Sequence, residues 1–122
     1  MRDIQQHGVP CGCGTHSPIF FFSFIYLSPS QGQIADDATQ DIGGQTRQVL
    51  AAIDALLARA GTDKTKILMV QIYLADIKDF AEMNQVWDSW VSPGNTPPRA
   101  TVQAALANPG WKIEIGATAA TL

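Results

Sequence analysis

Charge is scarce in this chain, and positive charge is nowhere concentrated. Only 16% of the 122 residues are charged, the net charge is -3 and the pI is near 5.1. Lys and Arg form no run, which argues against a nucleic-acid partner held by a basic face. Cysteine is nearly absent, with two residues, Cys11 and Cys13. Two thiols cannot close a structural zinc site, and a single intervening residue strains an intrachain disulfide. They read as an unpaired pair near the N-terminus, which suits a reducing, cytoplasmic setting. His7 and His16 lie nearby, but the spacing of this set matches no zinc pattern, so no metal is expected. Long apolar runs are also missing. The stretch IFFFSFIYL at 19–27 falls well short of the about 20 residues that cross a bilayer. No basic cluster precedes it, so it reads as a buried strand, not as a secretory signal or a membrane span.

What the chain does have is 46% hydrophobic residues, enough for one small core and one domain. Residues 1–17, with Gly8, Pro10, Gly12 and Gly14, read as a flexible or divergent N-terminal segment. Residues 18–122 read as the single domain. Ile19 to Leu27 is aromatic and β-branched, as strands prefer, and stops at Pro29. From Ile42 the apolar residues Val49, Leu50, Ile53, Leu56, Leu57 and Ala60 recur at helical spacing. Gly61 is placed to terminate that helix, and Gly43-Gly44 predicts a weak first turn and a later start. Thr65 to Asp76 reads as a central strand. Asp79 is placed to cap a second helix over 80–91, whose apolar side is Phe80, Met83, Val86, Trp87, Trp90 and Val91. That aromatic stripe reads as core.

Thr96-Pro97-Pro98 forces extended backbone into a strand that starts at Arg99. Alternation then places Ala100, Val102, Ala104 and Leu106 on an apolar face, with Arg99, Thr101 and Gln103 on a polar one. Asn108-Pro109-Gly110 turns the chain, and a last strand alternates Ile113, Ile115, Ala117 and Ala119 with Lys112, Glu114, Gly116 and Thr118. The order strand, helix, strand, helix, strand, strand, with room for a further strand before the first, predicts an α+β fold. Its mixed sheet would carry two helices on one face. Three tryptophans and many alanines also leave apolar surface that suits self-association.

Arg99 and Glu114 hold the chemistry. A guanidinium is a planar fork for a carboxylate, and a carboxylate in a cleft can deprotonate water or move a proton to a leaving amine. Thr101 adds a hydroxyl on the arginine's face. The pair lines one cleft if its strands are neighbours or meet across a subunit boundary. The alternative reading is an ordinary exposed salt bridge between neighbouring strands.

Pro97-Pro98-Arg99-Ala100-Thr101-Val102 followed by Ile113-Glu114-Ile115 resembles the C-terminal signature of the reactive-intermediate (enamine/imine) deaminase family, RidA/YjgF/endoribonuclease L-PSP. Gln45 to Leu50, Val70 to Asp76 and Asp79 to Asn84 fit the same family, over about residues 30 to 120. The resemblance implies a chorismate-mutase-like subunit that assembles as a homotrimer, with ligand sites between subunits. It implies that Arg99 holds a substrate carboxylate and that Glu114 positions the water that hydrolyses an imine to a 2-keto acid and ammonia. Gly32 and Gln33, within Ser30-Gln31-Gly32-Gln33, approximate the family's Ser-Gly-Gln ligand segment, and Asn84 and Thr101 join the substrate-binding set. No metal or organic cofactor is implied. Cys13-Gly14-Thr15-His16-Ser17 departs from the family's Gly-Pro-Tyr-Ser, and Gly116 replaces a frequent second glutamate. The same resemblance admits a non-catalytic binder of small carboxylates, or an endoribonuclease or chaperone-like member.

Overall fold

The computed structural model describes residues 23–27 and 32–121. Six main elements alternate: β1 (Ser23–Leu27), α1 (Ile42–Arg59), β2 (Ile67–Leu74), α2 (Phe80–Trp90), β3 (Arg99–Gln103) and β4 (Ile113–Thr121). The strands form one sheet in the order β1-β4-β2-β3. β2 and β3 are parallel, while β4 runs antiparallel to both β1 and β2. Thus β1, β2 and β3 share a direction, and β4 inserts between β1 and β2. Each helix bridges two strands of like direction and moves the same way across the sheet. Because such crossovers are right-handed, both helices land on one face.

The core lies between that face and the helices. Val49, Leu50, Ile53 and Leu57 of α1 and Met83 and Trp87 of α2 meet Val70, Ile72 and Leu74 of β2 and Ile113, Ile115, Ala117 and Ala119 of β4. Each fully buried aliphatic side chain here is worth about 1.5–3 kcal/mol against exposure. The other face is open in a single chain. Met69 there is 53% exposed and Val102 41%.

Several boundaries differ from the sequence expectation. α1 begins at Ile42 despite Gly43-Gly44, because Asp41 caps it, its Oδ1 accepting from Gly44 N at 2.8 Å. Gly61 does follow the helix, with φ +78°. β2 is shorter than Thr65 to Asp76 because 3-10 turns take up both ends, Lys64–Lys66 and Ile77–Asp79. Asp79 makes no side-chain cap to α2. Asp76 instead caps the preceding turn, accepting from Lys78 N at 2.9 Å, and that turn runs directly into the helix. β3 ends at Gln103, not Leu106. The N-terminal segment, the Cys11, Cys13, His7 and His16 set and any strand before β1 lie outside the described residues. Among the described residues, no helix is long and apolar enough to cross a membrane.

One buried polar side chain ties the helix layer to the loops. Gln45 is fully buried. Its Nε2 donates to the carbonyls of Ala38, Gln40 and Gly110 at 3.3, 3.0 and 2.9 Å. Its Oε1 accepts from Lys112 N at 2.8 Å. The segment leading into β4 is therefore fastened to the first turn of α1.

Candidate functional site

Arg99 is delivered to the helix side of the sheet. Pro97-Pro98 holds the approach extended, and Pro98 O accepts from Val70 N at 2.9 Å. Arg99 then pairs with Val70, and paired residues on adjacent strands point to the same face. Val70 is buried against the helices, so the arginine turns that way too. α2 receives it with Phe80, Met83, Asn84 and Trp87, spaced as one helical face. The guanidinium carbon lies 5.0 Å from the Trp87 ring centroid and 5.6 Å from that of Phe80. Nη2 donates to Asn84 Oδ1, and Nη1 lies 3.9 Å from Met83 Sδ. Asn84 is itself oriented by Asp88, to which its Nδ2 donates at 3.4 Å. The cation is half-buried and forms no carboxylate ion pair among the described residues. Thr101 follows on the same face, beside Ile72.

The alternation of β3 is thus inverted from the sequence expectation. The polar residues Arg99 and Thr101 face the helices, and Ala100 and Val102 face outward. The cause is α2, whose aromatic rings accept a guanidinium face as readily as a hydrocarbon.

Glu114 lies on the opposite face. It pairs with Tyr73, three residues from Val70 along β2, and a step of three reverses side-chain direction. β3 and β4 are not neighbours, because β2 lies between them. The salt bridge between adjacent strands is therefore excluded. The cause is the connection 104–112, which contains the expected Asn108 turn, with Asn108 Oδ1 accepting from Gly110 N at 2.8 Å. It carries the chain past the end of β2, where Ala75 N donates to Lys112 O at 3.0 Å.

Glu114 has its own surroundings. Gln33 forms an antiparallel bridge with Ile115, N to O at 2.9 Å and O to N at 3.1 Å. That bridge lays Gly32 directly on the glutamate. A Cβ on Gly32 would stand 2.5 Å from Glu114 Oε2 and 2.7 Å from its Cγ. Only glycine permits this approach. Burial raises the carboxyl pKa above its ordinary value, which brings its proton affinity closer to that of a working base.

The six residues singled out in the sequence therefore form two clusters. Arg99, Thr101 and Asn84 gather on the helix side at the edge strand β3. Glu114 and Gly32 meet on the other side, at β4, and Gln33 adjoins them through its backbone bridge to the core residue Ile115. One chain does not bring the clusters together. The sequence reading missed Trp87 and Phe80 as partners of Arg99, having assigned them to the core. Their spacing of three and four residues from Asn84 was the available signal.

A family model described as endoribonuclease L-PSP matches residues 22–121. A RutC family protein of Haemophilus ducreyi is 54% identical over 89 residues, which cover 73% of this chain and 76% of that protein. A 2-iminobutanoate/2-iminopropanoate deaminase of Rattus norvegicus is 33% identical over 123 residues, covering 95% of this chain and 87% of the relative. Among solved structures, a YjgF-family protein from Neisseria meningitidis superposes with a TM-score of 0.75 at 46% identity, covering 81% of this chain and 80% of that one.

Proposed function

Since the chain belongs to the endoribonuclease L-PSP family, we propose that it hydrolyses 2-imino and enamine acids to 2-keto acids and ammonia, in the cytoplasm. The observation that carries this reading is Arg99, a half-buried cation without a carboxylate partner among the described residues. Burying an uncompensated guanidinium is costly, and a small carboxylate supplies the missing charge through paired N–H donors. The rat relative's name, an imine deaminase, supports the same chemistry.

In this reading the substrate carboxylate docks on Arg99, with Thr101 and Asn84 beside it. Glu114 accepts a proton from water as the water oxygen bonds to the imine carbon. That proton passes to the nitrogen as the C=N π pair moves there, giving a carbinolamine. Glu114 then carries the carbinolamine's hydroxyl proton to the nitrogen, the C–N bond breaks as the carbonyl forms, and the products are the 2-keto acid and ammonia. Arg99 and Glu114 face opposite ways in one chain, so each site takes its arginine cluster from one subunit and its glutamate cluster from the next. A homotrimer supplies three such junctions, and the exposed Met69 and Val102 face provides apolar surface for the assembly.

A second reading follows from the same separation. A chain that binds carboxylates at Arg99 without Glu114 opposite would bind 2-keto acids and turn nothing over.

The test generates 2-iminobutanoate in situ and follows 2-ketobutanoate release. The expected result is acceleration over buffer, with Arg99→Ala reducing kcat/KM by about 100-fold, as for loss of a paired charged contact. No acceleration, combined with saturable keto-acid binding that depends on Arg99, would select the second reading. Acceleration unchanged in Arg99→Ala would discard both.

A further inference from the structure

The guanidinium of Arg99 does not rest on a carboxylate, and its orientation has to come from elsewhere. Its hydrogen bonds to Asn84 and Met83 engage Nη1 and Nη2 but leave other N–H donors of the fork without a partner among the described residues. The nearer of its two aromatic neighbours is Trp87, whose ring centroid lies 5.0 Å from the guanidinium carbon and which is only 1% exposed. Phe80 is farther, at 5.6 Å, and 39% exposed, so water screens its contribution.

Trp87 is itself held from behind. Its ring centroid lies 5.5 Å from that of Trp90, tilted by 47°. Trp90 Nε1 donates to Asp54 Oδ2 of α1 at 2.9 Å, and Lys64 Nζ sits 5.1 Å from the Trp90 ring. The order Asp54, Trp90, Trp87, Arg99 thus runs from α1 to the arginine. A core tryptophan needs no cation on its face, and a strand arginine with a solvent-facing alternative needs no ring. Their contact limits where the guanidinium can lie, alongside its hydrogen bonds to Met83 and Asn84.

We infer that Trp87 is a positioning residue for carboxylate recognition: its buried ring fixes the guanidinium plane of Arg99 so that substrate meets a preset fork. This rests on the reading of Arg99 as the carboxylate anchor. Trp87 does not touch the substrate or the reacting atoms. It acts through Arg99, so its removal weakens binding and leaves the hydrolytic step alone.

The experiment compares Trp87→Leu with Trp87→Phe, which both leave space in the core but differ in offering an aromatic face. For Trp87→Leu we expect KM for the imine and Kd for 2-ketobutanoate to rise about fivefold to tenfold, with kcat within about twofold of wild type. Trp87→Phe should stay within about twofold in KM even though its thermal stability falls. A second measurement avoids cavities altogether. Fluorinated tryptophan, which weakens the ring's negative face at nearly constant shape, should raise KM stepwise with fluorine count in wild type and leave KM flat in Trp87→Phe. Equal KM shifts in the Leu and Phe variants, or no fluorine dependence, would overturn the inference while leaving Arg99's role intact. If Arg99→Ala also bound keto acid like wild type, the reading of Arg99 itself would fail.

Discussion

Arg99 and Glu114 point to opposite faces of the same sheet. They are separated by β2, and by three residue rows along it, about 10 Å in each direction. No side-chain rotation within one chain brings a glutamate and an arginine together across a sheet. Any reaction that uses both must draw them from different chains.

Subunit mixing tests this directly. Arg99→Ala and Glu114→Gln should each be inactive as pure assemblies. Refolded together in equal amounts, they should recover about one quarter of wild-type activity, because one junction in four pairs an intact arginine with an intact glutamate. Mixed assemblies that stay inactive, shown to contain both chains by mass spectrometry, would place the site within one chain or elsewhere.

Gly32 offers a second test, aimed at Glu114 alone. An added methyl group would stand 2.5 to 2.9 Å from three atoms of the glutamate side chain. A flexible side chain can rotate away, so the fold survives but the carboxylate leaves its place. Gly32→Ala should lower kcat by about tenfold or more. Its melting temperature should change little, and keto-acid affinity at Arg99 should hold. A variant with normal kcat would show that the carboxylate's placement is not limiting.

Much of this architecture was legible in the sequence, and the limits were physical. The alternation of helix and strand, the core face of α1 and the buried residues of β2 and β4 follow from apolar period alone. Gly43-Gly44 misled because an aspartate cap offset their weak propensity. The face of Arg99 misled for a stronger reason. A binary pattern treats a cation as a solvent-seeking group, whereas here two aromatic rings and an asparagine receive it beneath α2. Strand neighbours were also hidden, since β4 comes last in the chain yet inserts between β1 and β2. Strand alternation and the family signature can name Arg99 and Glu114, but only the register against β2 shows that they face apart.

The raised pKa of Glu114 has a consequence for stability. Burial disfavours its charged form in the folded state relative to the unfolded one. The stabilising contribution is therefore present at low pH, where both states are protonated, and is lost as pH rises through the folded pKa. Glu114→Gln removes that dependence. Its melting temperature should exceed wild type at pH 7 and converge with it near pH 4, measured by calorimetry across that range, while its imine hydrolysis is lost. A variant less stable than wild type at pH 7 would mean that the carboxylate is better compensated in the fold than its burial indicates.

Gln45 carries the last prediction, because it joins stability to the placement of Glu114. Its amide makes three donated bonds and accepts one, all to backbone groups and all partly buried. Gln45→Leu keeps the approximate volume and strips those partners, leaving three partly buried carbonyls and the Lys112 N–H without this bond. Each orphaned group costs about 1–3 kcal/mol, reduced where the loop can relax toward water. We expect a total loss of about 2–4 kcal/mol by urea unfolding. The effect should not stop at stability, since Gly110 and Lys112 lead directly into Ile113 and Glu114. In conditions where the variant remains folded, kcat should fall while keto-acid affinity at Arg99 stays near wild type. Arg99 is positioned by β2 and α2, whereas the hydrogen bonds of the Gln45 amide go to the backbone of Ala38, Gln40, Gly110 and Lys112. A variant that lost affinity and turnover together would show that the two clusters are not independently supported.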